Sequence, residues 1–166
     1  MSFSYLLDAN TYIQAKNFHY RMHIVPGFWD WLDLHFHNGA VGSFRPVRDE
    51  LEAGKDQLSD WVKERRDVFV PVDDEATQTA FADIANFVMT HDVFAEPHTT
   101  TFLDGADPWL IAKAIACGAE VITQETRVAA NSKKVKVPNL CEVYRVPYRN
   151  TYDLMDLLEA RLVLDR

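Results

Sequence analysis

The sequence predicts an α/β fold: a three-layer α/β/α sandwich with a mainly parallel central sheet. Three observations carry that prediction. Short apolar runs, too brief for helices and bounded by polar residues, read as buried strands. These runs alternate with longer segments of helical character along the whole chain, so crossovers must place helices on both faces of the sheet. No internal repeat, low-complexity segment or linker divides the 166 residues, a length that suits one domain, residues 1–166.

The elements follow in order. "YLLDA" is a strand ending near Asp8, and the chain turns helical from Thr11 onward. "PGFWDWLDLHFHNG" is the second helix, with Pro26 in its first turn and Gly39 at its end. "AVGSF" is the second strand, and "RPVRDELEAG" a helix that Pro46 starts and Gly54 stops. "DQLSDWVKERRD" is helical and leads into the strand "VFVPV". "DDEATQTAFADIANFVMTH" has acidic residues in its first turn, as the helix dipole favours. Its Phe81, Ile84, Ala85 and Val88 form an apolar stripe. "DVFAEPHTTTFLDG" shows no period and reads as a loop. "ADPWLIAKAIACGA" is a helix entered through Asp107-Pro108, and "EVITQE" is a strand. "NSKKVKVPN" reads as a loop, "LCEVYRV" as the last strand and "TYDLMDLLEARLV" as a terminal amphipathic helix.

Composition narrows the classes of function. Hydrophobic residues make up 48% and charged residues 25%, which is globular rather than disordered. No apolar run reaches membrane-spanning length. The amino terminus lacks the basic start and apolar core of a signal peptide, so a cytoplasmic protein without membrane partners is expected. Cys117 and Cys141 lack metal-type spacing and are expected to be reduced, buried small hydrophobes. The net charge of −8 disfavours nonspecific binding to duplex DNA. It leaves an acidic site that recruits cations, or a basic partner. The basic clusters "VKERR" and "NSKKVK" read first as solvated faces.

Ligands of open α/β sheets bind beyond the carboxyl ends of the strands. Four acids fall at that edge. Asp8 follows the first strand, Glu50 lies one turn into the helix after the second, Asp107 opens a late helix, and Glu125 follows the fourth strand. Carboxylates at contact repel by about 4 kcal/mol per pair at an effective dielectric near 20. Such a cluster persists when Mg²⁺ or Mn²⁺ neutralises it. Plainer roles stand beside this one. Asp8 can be a turn former, Asp107 a helix cap and Glu125 a structural residue, while Asp49 or Glu52 can replace Glu50. His19 and His23, with His35 and His37 nearby, offer a competing metal set, but no third ligand stands at diagnostic spacing. They read as surface or interface histidines. Trp29, Trp31, Phe28 and Phe36 read as core, and Trp109 as core or as the aromatic that meets substrate.

"YLLDANTYI", "VRDEL" and "DPWLIAKAIACGAEVITQE", taken in order with the closing strand, resemble the PIN domain. That family consists of metal-dependent ribonucleases, many of them VapC-like toxins of type II toxin–antitoxin pairs. The resemblance spans nearly the whole chain and implies a single PIN-like nuclease domain. It places Asp8, Glu50 and Asp107 at the family's first three acidic positions, and Thr123 with Glu125 at its Thr-x-Asp position. Glu125 departs from the usual Asp there. Asn10 matches a small polar residue that orients the first Asp or a bound water, and Asp104 is a rival or helper to Asp107. The implied activity is hydrolysis of RNA phosphodiester bonds by a water that Mg²⁺ or Mn²⁺ activates, without a Ser, Cys or His nucleophile. Lys133, Lys134 and Lys136 can guide the phosphate backbone. A cognate antitoxin and a homodimer are the implied partners. Two other readings compete. One is a haloacid dehalogenase-type phosphatase, although Asn10 stands where those enzymes carry a second Asp. The other is an interaction module that keeps the fold without turnover.

Overall fold

The computed structural model describes residues 3–164. The strands are β1 (Tyr5–Leu7), β2 (Val41–Phe44), β3 (Phe69–Val70), β4 (Glu120–Ile122) and β5 (Tyr148–Arg149). They form one sheet in the order β3-β2-β1-β4-β5, every neighbouring pair parallel. Leu6 of β1 sits between Gly42 of β2 and Val121 of β4, so the most apolar strands occupy the centre. Gly42 admits no side chain, because a Cβ there would lie 2.3 Å from the ring of Phe3.

Between the strands run α1 (Ala9–Asn17), α2 (Pro26–His37), α3 (Arg45–Ala53), α4 (Gln57–Lys63), α5 (Glu75–Thr90), α6 (His98–Asp104), α7 (Asp107–Cys117), α8 (Val137–Tyr144) and α9 (Thr151–Leu157). One group, α1, α3 and α4, packs together, with α3 against β2 and β3. A second group, α5, α6, α7 and α8, packs around α7, which lies on β1 and β4. This is the three-layer arrangement expected. α7 buries Leu110, Ile111, Ala112 and Ala114, and ends at Gly118 with φ +67°, where a side chain would be strained. Among the described residues, no helix is long and apolar enough to cross a membrane.

Three expectations about elements are corrected. The segment read as the loop "DVFAEPHTTTFLDG" contains α6, which buries only Thr99 and Phe102. A seven-residue helix rich in threonine carries too little period and propensity to be seen. The segment "LCEVYRV" is not the last strand. Val137, Leu140 and Cys141 are buried and Tyr144 half-buried, a helical i, i+3, i+4, i+7 stripe with Pro138 in the first turn. The last strand is the two-residue β5 beyond it. The terminal helix also stops at Leu157, short of the segment expected.

Candidate functional site

The strand order reverses between β1 and β4: β2 and β3 continue from one side of the pair and β5 from the other. A doubly wound sheet opens a crevice at such a point, outside the carboxyl ends of the strands. Asp8 leaves β1 there and Thr123 leaves β4. The two touch, with the Thr123 hydroxyl donating to Asp8 Oδ2 at 2.7 Å. Thr123 Oγ1 in turn accepts the Glu125 N–H at 3.1 Å, which leaves its proton for Asp8. Asp8 is also the N-cap of α1, its Oδ1 accepting the Asn10 N–H at 2.7 Å. The turn-forming role and the rim position are therefore one and the same. Asn10 holds Asp8 through its backbone N–H, not through the side-chain amide.

Asp8 is 1% exposed. Burial pushes its carboxyl up to about 6, helped by the charges of Glu125 and Glu50 and opposed by the hydrogen bonds from Thr123 and Asn10. Asp107, the first residue of α7, is pushed up to about 8 by burial and by the charges of Asp8, Glu125 and Glu50, against some relief from Lys136. The fold thus gathers all four predicted acids within electrostatic reach of one another.

Two of them are turned toward structural partners. Glu50 Oε1 accepts the Ala106 N–H at 2.8 Å, joining α3 to the entrance of α7 one residue before Asp107. Glu125 accepts from Lys136 Nζ at 2.9 Å and from the Val137 N–H, at the start of α8, at 2.8 Å. Among the described residues, no three His, Cys, Asp or Glu side chains stand together as a ready cage for an ion. Asp104 is exposed at the end of α6, and Lys133 and Lys134 are exposed in the loop before α8. Asp49 pairs with Arg48, and Glu52 with Arg48 and Arg66, so neither stands free to replace Glu50.

The other candidates separate cleanly. His35 is buried edge-on against Trp31 and contacts Asn38, while His19, His23 and His37 are exposed. Trp109 stacks on Phe81 at 3.8 Å, and both are half-buried and packed against the core. Both cysteines are free, and burial pushes the Cys141 thiol up to about 12. The Asp8 and Glu125 charges add to that shift, so Cys141 lies behind the acids. Sequence reasoning missed this neighbour because its helix was read as a strand. It also missed Tyr12 and Ser43. Their buried hydroxyls lie near enough to influence one another, yet neither makes a hydrogen bond of normal geometry. Tyr12 stands one helical turn beyond Asp8, the only signal the sequence offered.

Fold and rim define the class: an open, all-parallel α/β protein with four carboxylates gathered near its topological switch point. By sequence, the chain belongs to the family described as Domain of unknown function (DUF4411), which matches residues 5–162. No curated protein and no solved structure matches the chain.

Proposed function

We propose that this chain is a metal-dependent endoribonuclease of the PIN-domain kind, and the toxin of a type II toxin–antitoxin pair. The observation that carries the reading is the convergence of Asp8 and Asp107, with Glu50 and Glu125 within electrostatic reach, at the carboxyl ends of β1 and β4. The order of motifs along the chain supports it independently. The donors are oxygen atoms, which suit Mg²⁺ or Mn²⁺, and Cys141 keeps its proton and does not compete.

Asp8 and Asp107 would hold the cation, which supplies a water of lowered pKa and offsets charge on the phosphate. Thr123 and the Asn10 N–H bond the two oxygens of Asp8 and hold its carboxylate in one orientation. Glu50 and Glu125 would join by releasing the Ala106 N–H and the Lys136 pair. Lys136, once released, faces the rim as a cation for the phosphate backbone, with Lys133 and Lys134 further out. Water is the nucleophile: its oxygen bonds to phosphorus as the ester P–O bond breaks, and the departing oxygen takes up a proton. The cognate antitoxin would cover the acidic rim, an Arg side chain pairing with the carboxylates.

The test is cleavage of a single-stranded RNA pool with Mg²⁺, with Mn²⁺ and with EDTA. Metal-dependent cleavage that Asp8→Asn and Asp107→Asn abolish is the expected result. Unchanged cleavage by Asp8→Asn would overturn the site, and phosphate release from a monoester would point to the phosphatase. One observation favours a second reading, the non-catalytic module: both oxygens of Glu125 already serve Lys136 and α8.

A further inference from the structure

A cavity of about 170 Å³ opens beside the carboxylate rim, walled by α1, the Gln124 position after β4 and the start of α9. Two of its lining residues neighbour rim residues along the chain. Thr11 lies on α1 just after Asp8 and donates to Ile122 O at 3.2 Å, and Gln124 sits between Thr123 and Glu125. A ligand anchored at the acids would pass Thr11 or Gln124 to enter the cavity.

The lining excludes most chemistries. It contains no Asp, Glu, Lys or Arg, so it offers no counter-charge to a phosphate or to an arginine. It does offer aromatic faces. Phe18 is 64% and Tyr152 46% exposed, unusual for rings of this size, and His19 leans on Tyr152 with centroids 6.1 Å apart. Tyr20 stacks on buried Phe28 at 4.2 Å and so makes a firm wall. The side-chain amides of Gln14 and Gln124 bring both donors and acceptors. Thr151, also in the lining, has a buried hydroxyl without a partner. A neutral, flat, hydrogen-bonding ring fits all of these. A cavity of about 150 Å³ takes one benzene ring, so the size suits a single six-membered ring.

We propose that this cavity receives one unstacked base of single-stranded RNA, a pyrimidine by size, next to the phosphate at the carboxylate rim. The inference rests on the ribonuclease reading above and deepens it. Duplex RNA keeps its bases stacked inside and cannot fill the cavity, which agrees with the single-stranded or looped RNA that the family resemblance implies. Phe18 and Tyr152 act as stacking platforms, and Gln14 and Gln124 read the base edge.

Two measurements test it. The first is anisotropy of fluorescein-labelled pentauridylate, pentaadenylate and a blunt duplex, in EDTA, on an Asp107→Asn background that prevents cleavage. Pentauridylate should bind most tightly and the duplex least. Tyr152→Ala and Phe18→Ala should each weaken pentauridylate binding about tenfold, within the range of lost base stacking, while Tyr152→Phe retains it. Thermal melts confirm that these surface variants fold. The second is sequencing of the ends made by Mn²⁺-dependent cleavage. The chain with native acids should show a pyrimidine preference at one position flanking the cut, which Gln124→Ala flattens. Failure of pentauridylate to bind, or unchanged binding by both alanine variants, overturns the base pocket. Cleavage with no preference that Gln124→Ala alters also overturns it and leaves the ribonuclease reading standing. Aromatic-dependent binding with no cleavage overturns the ribonuclease and leaves the pocket.

Discussion

At the residue scale, Asp8 and Asp107 carry a cost that pH exposes. Their folded carboxyls titrate near 6 and near 8, above the ordinary value of 3.8. Between the unfolded and folded values the native state binds more protons than the unfolded chain, so stability falls as pH rises. The favourable contribution is full below 3.8 and is lost as pH climbs through about 6 for Asp8 and about 8 for Asp107. His35 works in the opposite direction, since burial lowers it from 6.5 and its neutral form is restored as pH rises. Comparing variants isolates the acids. Asn can still cap α1 and accept the Asn10 N–H, and the Thr123 hydroxyl can turn to accept from the new amide. In EDTA, Asp8→Asn should therefore melt above wild type at pH 8, with the gain vanishing near pH 4. A lower melting temperature at pH 8 would make Asp8 a structural cap alone. Glu125→Gln should reduce cleavage less than Asp8→Asn, because Glu125 begins committed to Lys136 and Val137. An equal loss would make Glu125 an indispensable ligand.

At the element scale, the packing of α5 on α7 decides where Asp107 stands. Beside the Phe81–Trp109 stack, an ion pair joins the two helices. Asp74 caps α5, accepting the Thr77 N–H at 2.9 Å, and also accepts from Lys113 Nζ of α7 at 2.6 Å. Lys113 and Thr77 hold its carboxyl down at about 2. Its stabilisation is thus present above 3.8 and lost as pH falls through about 2. Asp74→Ala should cost about 1 kcal/mol for the cap and more for Lys113, whose side chain is only 11% exposed and would lose its partner. Urea denaturation at pH 7 measures this, and Asp74→Asn should recover the cap but not the pair. An alanine variant as stable as wild type would mean that α5 and α7 register by apolar packing alone.

At the scale of the whole molecule, the parallel sheet draws acids from four separate segments to one edge, and in the proposed function a cation would offset their repulsion. A ligand that binds only the folded state stabilises it by about 2.7 kcal/mol at a hundred times its dissociation constant. Wild type should gain most of that with Mn²⁺, and Asp8→Asn little, so the melting order seen in EDTA at pH 8 should reverse. An undiminished Mn²⁺ shift in Asp8→Asn would place the cation elsewhere. The net charge of −8 makes association with a basic partner salt-sensitive. Copurification of a neighbouring gene product at low salt, lost at high salt, is the expected behaviour of the antitoxin complex.

The sequence by itself determined the α/β class, the first four strands and most of the long helices, because apolar period and Pro or Gly boundaries are local signals. It also placed Asp8 and Glu125 after strands, Asp107 at the start of a helix and Glu50 one turn into another, since element ends can be read residue by residue. It misplaced the last strand and missed α6, where short elements owe their conformation to what covers them rather than to their own period. Only the tertiary structure decided where the acids point. Thr123 locks Asp8 from a neighbouring strand, Ala106 holds Glu50, and α8 with Lys136 holds Glu125. Each of those partners is distant along the chain or lies in a helix misread as a strand. Long-range hydrogen bonds leave no periodicity in a sequence, and they appear when the sheet brings the segments together.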